Sequence, residues 1–162
     1  MQRLEPTIGD EFQGLFATLA DAVQASLQVR LELMPGIDVR AGLGQGETVV
    51  HDGRRKPVLQ DGPAWWAARA ALERLARPPQ PTARTWFSGL EEHHVNAYLQ
   101  VRDALVDRLN PRHRRMLLRA LRGASQAEIA DAEEVTRSAV SQAFAHGVGA
   151  LRDAALDFGK EG

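Results

Sequence analysis

Arg137, Ser138, Ser141 and Gln142 lie close together, with Thr136 just ahead of them. Short hydroxyl side chains let a backbone approach a partner closely, while Gln and Arg can make paired hydrogen bonds to base edges. At the start of a helix, that combination suits base reading in a DNA major groove. Upstream, Arg112, Arg114, Arg115 and Arg119 bring positive charge that can meet phosphates without reading sequence. The candidate DNA-binding set is therefore Arg112, Arg115, Thr136, Arg137, Ser138, Ser141 and Gln142.

The elements that must position these residues are three helices. Asn110 is an N-cap followed by Pro111 at the first helical position, where a missing amide costs nothing, and Gly123 ends that helix. Ser125 opens a second helix, and Glu128 three residues on completes a capping box. Thr136 caps a third, which is expected to run from Arg137 to about Phe158. Ile129 and Val135 should hold the short pair together, with Val140, Phe144, Val148 and Leu151 facing the same small core. Two short helices joined by a tight turn form a helix-turn-helix.

The wording SQAEIA followed by VTRSAVSQ resembles the promoter-reading module of sigma factors and related bacterial regulators. That module usually carries Leu and Gly in its turn; here Glu133 and Glu134 stand there. From Gly123 onward three basic residues face seven acidic ones, a poor surface for a polyanion. Residues Arg102 to Arg122 hold seven Arg against two Asp, which moves the phosphate-binding charge to the preceding helix. The plainer alternative is a helical hairpin that docks on protein.

Composition adds bounds. The 162 residues carry a net charge of −1, so any attraction to nucleic acid must be local. There is no cysteine, which excludes disulfides, thiolate metal sites and cysteine catalysis. No apolar run approaches a membrane span and the start lacks a signal pattern, so the expected location is cytoplasmic, without membrane contact.

In the N-terminal half, Arg3 to Ile8 and Glu11 to Phe16 read as strands around a Gly9-Asp10 turn. Leu19, Val23, Leu27 and Leu31 form one helical stripe. IDVRAGLGQGETVV reads as two strands joined in a hairpin through Gly44-Gln45-Gly46, and His51 to Lys56 as a polar loop. A helix follows from Pro63, with Trp65, Ala68 and Leu72 inward. Arg77 to Pro81 is the linker candidate, and Thr85 to Phe87 a last strand. Gly89 to His94 reads as loop, and Val95 to Leu109 as a helix facing the core through Tyr98, Val101, Leu105 and Val106. The His93-His94 pair has no Cys or carboxylate spacing to make it a metal site.

Three segments resemble the catalytic domain of class III nucleotide cyclases, a palm-like α/β sandwich. TIGDEF resembles the hairpin that carries a metal-binding Asp, also seen as the GGDEF hairpin of diguanylate cyclases; the matching residue is Asp10. VRAGLGQGE resembles a later hairpin. GPAWWAAR resembles the helix that offers an Asn and an Arg to substrate: Arg69 keeps the Arg, and Trp65 replaces the Asn. Pro6 stands where a base-reading Lys belongs. The family's first metal Asp lies on a strand upstream, whereas nine residues precede Asp10 here. Cyclisation needs metal between opposed carboxylates, so one Asp and one Arg imply a relict nucleotide and metal site rather than catalysis. No catalytic residue, metal ligand or cofactor is expected. As plain structure, Asp10 suits a turn, Glu11 a solvent-facing strand position, Arg69 a surface ion pair, and Trp65 and Trp66 packing against the sheet.

Together TIGDEFQGLF, QDGPAWWAAR, TWF and SAVSQ resemble the SatD family. The expected fold is α+β: residues 1–88 an incomplete ferredoxin-like palm lacking its first strand and helix, and 95–158 an all-α helix-turn-helix domain. The function expected is that of a DNA-binding transcriptional regulator whose palm dimerises or senses a ligand. An edge left open at the absent strand invites homodimerisation. The alternatives are a nucleotide-binding sensor, or a palm enzyme completed by a partner, neither binding DNA.

Overall fold

A computed structural model describes residues 2–7, 9–55, 58–77 and 83–160. The element order is β1 (Gln2–Pro6), β2 (Phe12–Leu15), α1 (Leu19–Leu33), β3 (Ala41–Gly44), β4 (Val49–Asp52), β5 (Leu59–Asp61), α2 (Pro63–Ala76), β6 (Thr85–Ser88), α3 (Glu92–Arg108), α4 (Pro111–Leu121), α5 (Gln126–Ala132), α6 (Arg137–Ala143) and α7 (Gly149–Asp157). The fold is α+β. Two compact units divide it, and the division is not collinear with the chain. One comprises Met1–Ala22 and Arg40–Gln100; the other comprises Val23–Val39 and Val101–Gly162.

In the first unit, β1 and β2 form an antiparallel hairpin, Pro6 opposite Phe12, with Gly9-Asp10 at its tip and Gly9 at φ +71°. Ile8, the expected end of the first strand, lies outside the described residues. β3 pairs in parallel with β6, Ala41 opposite Thr85 through Gly44 opposite Ser88. Parallel strands need a crossover, and α2 lies between them in the chain. The fit of α2 on β3 explains the GLG wording. A Cβ on Gly42 would come within 2.3 Å of the Ala68 carbonyl oxygen, and one on Gly44 within 2.2 Å of the Ala64 carbonyl oxygen. Glycine on the strand opposite alanine on the helix lets the two backbones touch.

The expected β3–β4 hairpin does not form. β4 instead pairs antiparallel with β5, Val49 opposite Asp61, inside the segment read as a loop and its continuation. Buried Asn96 caps this arrangement: its side chain accepts from the Phe87 amide and donates to the Phe87 carbonyl, both at 2.8 Å. Trp66 is not packed on the sheet; it is 62% exposed and its indole N–H donates to Asp61 at 2.7 Å. His93 and His94 sit exposed in the first turn of α3 rather than in a loop. The linker candidate falls almost wholly on 78–82, outside the described residues.

The second unit has an apolar core of Leu27, Leu31, Val106, Met116, Leu117, Leu118, Leu121, Ile129, Val140, Val148 and Leu151. The α1 stripe behaves as expected at Val23, Leu27 and Leu31, but Arg30 is buried beside them. Arg30 pairs with Asp103 at 3.5 Å and with Asp107, while Arg102 bonds Asp103 and donates to the Val23 carbonyl at 3.1 Å. This network corrects the reading of α3. Its inner side in this unit carries Arg102, Asp103 and Val106, whereas Val101 and Leu105 are exposed. Buried charges are tolerated because each finds a partner, so apolar spacing placed Val106 correctly but Val101 and Leu105 wrongly.

Candidate nucleic-acid interface

Each helix of the C-terminal trio starts on the cap expected for it. Asn110 accepts from the His113 amide at 2.9 Å, and Thr136 accepts from the Ala139 amide at 3.2 Å. Ser125 and Glu128 satisfy each other's backbone amides in a capping box. That bonding, the Ser125 amide foremost, holds the Glu128 carboxyl below its ordinary range. Between α5 and α6 the chain turns through Glu134 at φ +53°, a left-handed conformation in which glycine is the residue without strain. The turn geometry of a helix-turn-helix is thus kept although the glycine is not.

The two faces of α6 separate cleanly. Val140 and Ala143 are buried, while Thr136, Arg137, Ser138, Ser141 and Gln142 are exposed. Arg137 and Arg112 have no side-chain partner among the described residues. An open groove of about 310 Å³ runs between α4 and α6, lined by Arg112, His113, Met116, Ala139, Gln142 and His146 among others. The third helix does not run unbroken to Phe158. After Ala143 the helix kinks within Phe144–Val148, where His146 and Gly147 leave helical geometry, Gly147 at φ +121°. His146 donates from Nδ1 to the Gln142 carbonyl at 2.7 Å, and α7 then sets off anew.

Glu133 was the departure whose role the sequence did not reveal. It is no solvent-facing acid: its side chain is 3% exposed. Arg115 donates to it from Nε at 2.9 and 3.2 Å and from Nη2 at 2.7 Å, and Arg119 adds a bond from Nε at 3.1 Å. Burial pushes the Glu133 carboxyl up, but the two guanidiniums outweigh it and hold it below the ordinary range. The same bonding raises Arg115. Arg114 is also engaged, donating to the Asp107 carbonyl at 2.9 Å. The available signals were Arg115 and Arg119 spaced one turn apart, and a Glu at a position usually filled by Leu.

At the other candidate site, Asp10 lies exposed at the hairpin tip. Arg69 does not face it alone across an open site: it forms a two-bond pair with Glu11, at 3.1 and 3.2 Å. Hydrogen bonding from Arg69 lowers the Glu11 carboxyl. Among the described residues no three His, Asp or Glu side chains gather as a metal site would require. Trp65 is half-buried.

This hairpin and the α2 segment fall within residues 2–80, which match the SatD family. Residues 2–80 belong to the SatD family. The SatD match includes TIGDEFQGLF and QDGPAWWAAR and ends before the helix-turn-helix and its SAVSQ wording. No curated protein and no solved structure matches the chain. No described helix is long and apolar enough to cross a membrane.

Proposed function

We propose that this chain is a DNA-binding regulator, in which α4 to α6 form the reading head and the SatD segment serves dimerisation or ligand sensing. The observation that carries the reading is the division of α6. Its apolar side chains anchor it in the core, and its exposed side offers Arg137, Ser138, Ser141 and Gln142 together, beside Arg112 on α4. These are the groups a recognition helix brings to base edges and neighbouring phosphates. A single copy offers few contacts for tight binding, so we expect a homodimer on two half-sites about one helical turn apart. Cytoplasmic location follows from that role.

The competing reading is a nucleotide sensor built on Asp10 and Arg69. The Arg69–Glu11 pair argues against it, because the guanidinium is already bound by a carboxylate. Fluorescence anisotropy with genomic fragments at two salt concentrations tests the regulator reading. Salt-dependent binding with a preferred fragment is the expected outcome. Uniformly weak binding that neither Gln142→Ala nor Arg112→Ala alters would remove it, leaving the trio as a protein-docking element.

A further inference from the structure

The Glu133 contacts bear on how much charge the reading head presents. Arg115 spends its Nε–Nη2 edge on the carboxylate, the same forked edge that a guanidinium uses to grip a phosphate. Arg119, one turn along α4, spends its Nε on the other oxygen. The carboxylate is almost wholly buried, so water competes little for it, while both arginine side chains remain about half exposed. One carboxylate therefore holds donors of both guanidiniums at this place. It sits in the turn from which α6 springs.

We propose that Glu133 is an internal stand-in for a DNA phosphate: it occupies Arg115 and Arg119, and so withholds their charge from nucleic acid. This rests on the regulator reading above. Its consequence is a division of labour. Arg112 and Arg137, exposed and unpartnered among the described residues, meet phosphates, and the polar face of α6 supplies a larger share of the selectivity than the arginine count suggests. A head with fewer phosphate contacts loses less affinity as salt rises, because fewer counterions are released on binding. Freeing the two arginines would raise affinity for every sequence and blunt the preference for one.

The test is the slope of log affinity against log salt on a mixed-sequence duplex, read by anisotropy with the full chain. Glu133→Gln keeps an acceptor between the arginines and removes the charge. It should steepen the slope by about one to two units, one per phosphate gained, and narrow the gap between preferred and scrambled duplexes. Arg112→Gln should flatten the wild-type slope by about one unit. Arg115→Gln should leave it nearly unchanged in the wild type, yet flatten it by about one unit in the Glu133→Gln background. A wild-type slope in a Glu133→Gln protein that unfolds cooperatively would overturn the proposal. Should Glu133→Gln not fold, the wild-type comparison decides: equal flattening by Arg115→Gln and Arg112→Gln would overturn it. Binding by wild type with unaltered slopes defeats this inference alone, whereas no binding by wild type or Glu133→Gln defeats the DNA reading beneath it.

Discussion

Arg69 grips both carboxylate oxygens of Glu11, from α2 to the turn leading into β2, with the two side chains about half exposed. The residue that resembles a substrate-binding arginine is thus part of an ion pair within the SatD segment. Magnesium or manganese with ATP or GTP should accordingly yield no cyclic product. Calorimetry should detect only weak, salt-sensitive association. Arg69→Ala should change stability by less than about 1 kcal/mol, as exposed pairs do. Turnover that vanishes in Asp10→Ala would restore the enzyme reading.

Base reading and phosphate contact separate by variant. Gln142→Ala should weaken the preferred duplex by about 1–3 kcal/mol and leave scrambled duplexes nearly untouched. Arg112→Ala should instead weaken both alike. Competition anisotropy with the two duplexes checks this, and equal losses from Gln142→Ala on both would deny α6 a reading role.

Acid should expose the Glu133 clamp. Its carboxyl titrates below its unfolded value of about 4.3, so its contribution to stability is present above that pH. The contribution fades as pH falls below that unfolded value toward the folded one. Glu133→Gln lacks it. Denaturant melts at pH 7 should therefore find the variant less stable by about 1–3 kcal/mol, with the gap narrowing as acid protonates the carboxyl. A gap independent of pH would mean that packing, not charge, holds this turn.

The contact of β3 with α2 should tolerate no methyl group. In Gly44→Ala the added Cβ would meet backbone atoms of Ala64 and Ala68, near 2.2 and 2.3 Å, which cannot swing aside. A loss of about 3 kcal/mol or more in thermal or denaturant melts is expected, the upper range for overpacking. Gly53→Ala, whose nearest neighbour would be a Val50 methyl at 3.7 Å, is the control and should cost far less.

Asn96 should be as demanding. Its two bonds to Phe87 satisfy buried backbone groups that Asn96→Ala would strand, for a loss of about 1–3 kcal/mol. Asn96→Asp should be no better, because a carboxylate can accept from the Phe87 amide but cannot donate to its carbonyl. A denaturant melt of Asn96→Asp matching wild type would count against this role.

Local rules written in the chain determined the helices of the C-terminal trio. Asn110, Ser125 and Thr136 act on amides within three residues of themselves, so their geometry needs no distant partner. The Gly9-Asp10 turn is local in the same way, and the SatD wording around it was legible. The tertiary structure alone decided matters of pairing at a distance. β3 found β6 across more than forty residues, and β4 paired with β5. Arg30 could be buried only because Asp103 and Asp107 arrive from another helix, and the inner side of α3 took Arg102 and Asp103 in place of the expected Val101 and Leu105. Glu133 belongs with these. By sequence it is an acid spoiling a basic surface, but its buried carboxylate is held by two half-exposed arginines from α4, which turn it into a fastening. A side chain's type limits which bonds it can make, and only the fold brings the partner that makes burying a charge affordable.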